Sequence, residues 1–99
     1  MEIGDERAIE PFVEALLEFQ TQREASKALQ AVGSKAEEAV LKYLKNSDPG
    51  VRAEACRILK VIGTRKSIGP LQPLVRDKAI GVSGAARDAL RTIEARRGK

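Results

Sequence analysis

Val51-Arg52-Ala53-Glu54-Ala55-Cys56-Arg57-Ile58-Leu59-Lys60-Val61-Ile62-Gly63 lies in the middle of a 99-residue chain and has two diverged copies within it. Thr21 to Val32 aligns with Val51 to Ile62, and Val82 to Ile93 aligns with both. In this register Ala25, Ala55 and Ala86 share a column, as do Leu29, Leu59 and Leu90, and Ala28, Ile58 and Ala89. A glycine after a β-branched residue marks the period at Ile3-Gly4, Val32-Gly33 and Ile62-Gly63, with spacings of 29 and 30 residues. The third copy carries Glu94 in the glycine column. Self-similarity at such a period is the mark of a repeat array.

Each copy has helical periodicity. Positions 21, 25, 28, 29 and 32 fall within an arc of about 100° and are apolar or small, Thr21 being the polar member. The segments between the copies are periodic too: Ile9, Phe12, Val13, Leu16 and Leu17 in the first, Ala36, Val40, Tyr43 and Leu44 in the second. Ile68, Leu71 and Val75 outline a weaker third. Each unit therefore reads as an A helix, a short turn and a B helix closed by glycine at C′. Asp5, Ser34 and Ser67 are placed to cap A helices, and Asp48 with Pro49 behind it to start the second B helix. Pro11 and Pro70 are expected to bend their A helices, and Pro73 to break the third one. Gly81 and Gly84 should soften the start of the third B helix. The expected architecture is all-α, a right-handed α-solenoid of about three antiparallel helical hairpins. One domain over residues 1–99 would comprise repeats 4–33, 34–63 and 64–95 and a basic tail at 96–99.

Ile3-Gly4-Asp5-Glu6-Arg7-Ala8-Ile9-Glu10-Pro11 and Asp48-Pro49-Gly50-Val51-Arg52 resemble the short HEAT-like repeats of the phycobilin-lyase type. The resemblance runs over nearly the whole chain, departing from the pattern at Gln20-Thr21-Gln22 and at Ile80-Gly81-Val82-Ser83. It implies B helices that line a concave face on which partners bind, and an Arg52 that ties neighbouring repeats together through an acid. Ile3-Gly4 reads as the close of a B helix. That leaves two expectations: a piece of a longer array, or a start at which Ile3 staples against the first A helix ahead of Asp5.

Composition narrows the classes. At 42% hydrophobic and 32% charged the chain is foldable, and with only Phe12, Phe19 and Tyr43 as aromatics its core must be aliphatic. No apolar run exceeds three residues, which predicts no membrane span and no secretory h-region. The one cysteine, Cys56, cannot form an internal disulfide, so nothing points to an oxidising compartment and the cytoplasm is the default. The net charge of +4 divides into −5 over residues 1–20, +3 over 21–60 and +6 over 61–99. Such a gradient favours head-to-tail contact or an anionic partner near the C-terminal end, against the commoner reading of two solvated ends.

Function is sought on the B helices, opposite the buried arc. Those positions are Arg23, Ser26, Lys27 and Gln30, then Ala53, Cys56, Arg57 and Lys60, then Gly84, Arg87, Asp88 and Arg91. Arg23, Lys27, Arg57, Lys60, Arg87 and Arg91 would form a basic ridge suited to an acidic protein surface or peptide, against the alternative of a merely solvated face. No aromatic interleaves with the ridge, so nucleic acid could be held through phosphates alone. Cys56, in the column of Ser26, is expected to be a small, partly exposed packing residue. Tyr43 is expected at the core edge, and Arg96, Arg97 and Lys99 beyond the last helical turn, complementing its dipole.

Catalysis has little footing. There is no histidine, which removes Ser-His and Cys-His systems and the commonest metal ligand. Gly63-Thr64-Arg65-Lys66 lacks the order of a phosphate loop, and the pair Glu37-Glu38 is expected on an exposed face with no pocket. The sequence thus points to a non-catalytic scaffold without cofactor or metal, binding a partner protein through the B-helix face or an exposed end. Polyanion binding and a fragment of a larger helical-repeat enzyme are the alternatives. Ile9, Phe12 and Val13 make the N-terminal end a further candidate for self-association.

Overall fold

The computed structural model describes residues 9, 15–18 and 20–97, whose regular elements are all helical with no strand among them. The three aligned copies are the long helices: α1 (Gln22–Val32), α3 (Pro49–Ile62) and α5 (Ile80–Arg97). Between them lie two short ones, α2 (Glu37–Leu41) and α4 (Ile68–Leu71). Each short helix is a single α turn flanked by 3-10 turns, at Gly33–Ala36 and Lys42–Lys45 around α2 and at Arg65–Ser67 and Gln72–Arg76 around α4. Pro73 sits in the first turn of the last of these, as its missing N–H allows. The segment around α2 has the same broken shape with no proline in it. Brevity and i→i+3 tightening at both ends therefore explain the A segments better than proline does.

α3 is the central element, packed on α1 to one side and α5 to the other, while α2 lies against α3 and α4 against α5. The periodic apolar positions supply the core. Ala25, Leu29, Val51, Ala55, Ile58, Leu59, Ile62, Ala86, Ala89 and Ile93 are buried together with Val40, Leu44 and Leu71 from the A segments. Burying each larger aliphatic side chain contributes about 1.5–3 kcal/mol. Leu90, in the column of Leu29 and Leu59, is only partly buried. Tyr43 is half-buried and packs against the core.

The punctuation holds in part. Asp48 accepts from the Gly50 N–H at 2.8 Å ahead of Pro49, as expected. Ser34 and Ser67 do not cap: α2 and α4 begin without a side-chain cap, and it is Thr64 Oγ1 that accepts from Lys66 N–H. The expectations for Asp5 and Pro11 lie outside the described residues. The two glycines of the repeat column serve different needs. Gly33 has φ +84° and ψ −152°, a conformation essentially confined to glycine, rather than the left-handed C′ geometry. Gly63 has an ordinary φ of −67°, but a Cβ there would run into the Leu59 carbonyl and stand 2.8 Å from Ile93 Cδ1. α5 runs unbroken through Gly81 and Gly84 and includes Arg96 and Arg97, so these arginines are helix and not tail.

Candidate interaction surface

Of the six basic residues read from the sequence, Arg23, Lys27, Arg57, Arg87 and Arg91 are exposed and Lys60 is partly buried. They do not line one ridge. Ser26, Ala53 and Cys56, expected on the same outward face, are buried at 3%, 6% and 0% exposure. The cause is the neighbouring repeat. The side of α3 that carries Ala53, Cys56 and Lys60 turns toward α5, where Lys60 Nζ meets Asp88 Oδ2 at 2.7 Å. The exposed B-helix face is therefore rotated roughly 80° from the direction opposite the core, at 3.6 residues per turn. It carries Glu24, Lys27 and Ala31 on α1, Gly50, Arg57 and Val61 on α3, and at its edge the partly buried Glu54, Ala85, Asp88 and Thr92.

That face mixes charges. Arg57 pairs with Glu54 at 3.0 Å, and Asp88 neutralises Lys60. The Lys60 hydrogen bond holds the Asp88 carboxyl below its ordinary range. Between α3 and α5 a groove of about 450 Å³ is bordered by Arg57, Lys60, Gly81, Gly84, Ala85 and Asp88. Ala31 and Val61, the latter 51% exposed, add a column of apolar surface beside the charges. Arg87 and Arg91 stand apart on the far side of α5, in the columns that hold Cys56 and Lys60 in α3.

The remaining candidates resolve as parts of the fold. Arg52 spans the repeats as the resemblance implied: its Nε and an Nη bond Asp77 at 3.0 and 3.2 Å, and the other Nη donates to the Asn46 and Ser47 carbonyls. This bond, and a second from the Ala79 N–H, hold the Asp77 carboxyl below its ordinary range. Arg96 donates to the Lys60 and Gly63 carbonyls at 2.7 and 2.8 Å, satisfying the C-terminal end of α3 rather than its own helix. Cys56 is fully buried, not partly exposed, and burial pushes its thiol up to about 12, so it carries no thiolate at neutral pH.

Glu37 is the functional group that sequence reasoning missed. It is buried at 3% exposure, not on a solvated face with Glu38. Its carboxylate accepts from Thr64 N–H at 2.7 Å, Thr64 Oγ1 at 2.9 Å and Ser67 Oγ at 2.5 Å. A cleft of about 340 Å³ adjoins it, bordered also by Ser34, Lys42, Lys66 and Ile9. The signal lay in the hydroxyls of Thr64 and Ser67, which donate to no other acceptor among the described residues, though their distance of about thirty residues hid it.

Among the described residues no group of His, Cys, Asp or Glu side chains could hold a metal ion, and no helix is long and apolar enough to cross a membrane. No curated protein matches the chain. The family model for HEAT repeats matches residues 9–91. With stacked B helices, repeat-spanning Arg52 and more than half its length matched, the chain belongs to the HEAT-repeat family.

Proposed function

We propose that the chain is a non-catalytic protein-interaction module, a right-handed α-solenoid whose B-helix face lines the concave side and binds a partner protein. HEAT repeats generally serve protein interaction. The observation that carries the reading is the exposed Ala31–Val61 column flanked by Lys27 and Arg57 on one side and acids on the other. Apolar surface within mixed charge suits a protein interface, which joins an apolar centre to a polar rim. A polyphosphate would need a continuous positive track, and Glu24, Glu54 and Asp88 interrupt it. Lys27, Arg57 and Arg23 favour acidic side chains on the partner. The Asp48-Pro49-Gly50-Val51-Arg52 turn supports placing the repeats near the phycobilin-lyase type.

The test is affinity capture with wild type against Val61→Glu and against the pair Lys27→Glu and Arg57→Glu. Both variants change exposed side chains and should leave the fold intact. A captured protein lost with either variant supports the reading. Capture indifferent to both, or replaced by nucleic acid that elutes steeply with salt, refutes it.

A further inference from the structure

The outer side of α5, where Arg87 and Arg91 lie, is covered by no described element. On α3 that flank carries Ala53, Cys56 and Lys60 and is closed by α5; on α5 it carries Arg87 and Arg91. Arg87 and Arg91 are exposed, and among the described residues neither has a hydrogen-bond or ion-pair partner. They lie four residues apart, one turn along the same side of the helix.

The complementary pattern is in the chain itself. Glu6, Glu10, Glu14 and Glu18 recur at intervals of four within a segment of net charge −5, while residues 61–99 carry +6. That interval equals the step of the arginine pair, and Glu18, the described member, is exposed. We infer that the outer side of α5 takes the acidic first segment of a second copy, so that copies associate head to tail.

The acidic segment, and not α1 of the second copy, is the element that fits. Repeating the α3–α5 contact between copies would place Arg91 in the position of Lys60 and the second copy's Lys27 in that of Asp88, setting two cations together. A contact between unlike surfaces does not close on itself as a two-fold dimer does, so the assembly grows with concentration. Its attraction is between opposite charges, with Arg87, Arg91 and Glu18 exposed, so salt dissolves it. This surface is separate from the Lys27–Arg57 face, and the inference stands whether or not that face binds a partner.

Light scattering on the whole chain over a concentration series tests it, in about 0.01 M and about 1 M salt, where the screening length falls from roughly 30 Å to 3 Å. The expected result is a mass that rises with concentration at low salt and returns to monomer at high salt. Arg87→Glu with Arg91→Glu should stay monomeric throughout, as should Glu10→Lys with Glu14→Lys and Glu18→Lys. Mixing the two variants restores opposite charges and should restore the larger species. A wild type that stays monomeric at low salt overturns the inference. So does an assembly that survives the arginine reversal, or a mixture of variants that fails to associate while each is folded by circular dichroism.

Discussion

Glu37 and Ser67 meet inside the protein at 2.5 Å, the carboxylate of one A segment accepting from the hydroxyl that opens the next. Thr64 adds its backbone N–H and its hydroxyl to the same carboxylate. No cation reaches this group among the hydrogen bonds and ion pairs described, so its burial rests on these donors alone. Glu37→Ala would leave the fully buried Ser67 hydroxyl without its acceptor. The expected loss is about 1–3 kcal/mol in chemical denaturation, with an unchanged denaturant slope. Glu37→Gln keeps the shape and one acceptor oxygen and should lose less, because that oxygen can still accept from the Thr64 N–H and Ser67 Oγ while only the Thr64 hydroxyl turns to accept from the new amide.

The glycines offer a sharper comparison, since three of them should respond for three different reasons. Gly63→Ala places a methyl against the Leu59 carbonyl and Ile93, which forces the α3–α5 contact apart and should cost about 1–3 kcal/mol. Gly33→Ala meets no atom but must hold a glycine-only backbone conformation, for a similar loss of about 1–3 kcal/mol. Gly84→Ala lies in a helix interior with open space around it and should stabilise by about 0.5–1 kcal/mol. Thermal unfolding of the three variants checks the signs, two losses against one gain.

What was legible in the sequence follows from locality. The columns Ala25–Ala55–Ala86 and Leu29–Leu59 gave the B helices and their buried stripe, because a helix reports its own face through its own spacing. The Asp48-Pro49 start was legible for the same reason. The outward face of the B helices was not, since the burial of Ser26, Ala53 and Cys56 is imposed by the next repeat. Glu37 and Glu38 look alike in sequence, and only Thr64 and Ser67, far along the chain, decide which is buried. The six basic residues lie on B helices, but the turn of each helix against its neighbour separates Lys27 and Arg57 from Arg87 and Arg91.

Acid should loosen the repeats in a defined direction. Asp77 is held below its ordinary value of 3.8 mainly by Arg52, and Asp88 below the same value mainly by Lys60. A carboxyl whose pKa is lower folded than unfolded contributes its full stability above the unfolded value. That contribution fades as pH falls through the folded value. Stability should therefore be level from neutral pH down to the ordinary carboxylate range and decline below it. Asp77→Asn should flatten the decline more than Asp88→Asn, because Asp77 is the less exposed of the two and makes two contacts with Arg52. Denaturation midpoints measured between neutral pH and strong acid would show it.

Cys56 turns the same interface into a clock. Its thiol is fully buried beneath α5 and pushed up to about 12, so alkylation at neutral pH requires both opening and ionisation. Iodoacetamide should leave the folded chain unlabelled while labelling it completely in denaturant. Gly63→Ala, which strains the contact between α3 and α5, should speed labelling of the folded form. Prompt labelling of the native wild type would mean that α5 does not stay closed on α3.

The two repeat junctions differ in kind, and the difference can be engineered away. Arg52 on α3 bonds Asp77 ahead of α5, and it also donates to Asn46 O, six residues back. Gln22, its column mate on α1, donates to Leu16 O, again six residues back, and Asn46 stands in the column of Asp77. Asn46 even makes the same turn, accepting from Asp48 N–H as Asp77 accepts from Ala79 N–H. At each end the first junction thus repeats the local contacts of the second, with both charges removed. Gln22→Arg with Asn46→Asp should install a second repeat-spanning pair. Each single change should be neutral or slightly destabilising, and the double should gain on the order of 0.5–1 kcal/mol beyond their sum in a double-mutant cycle. A coupling near zero would show that α1 and α3 are not set at the spacing that α3 and α5 share.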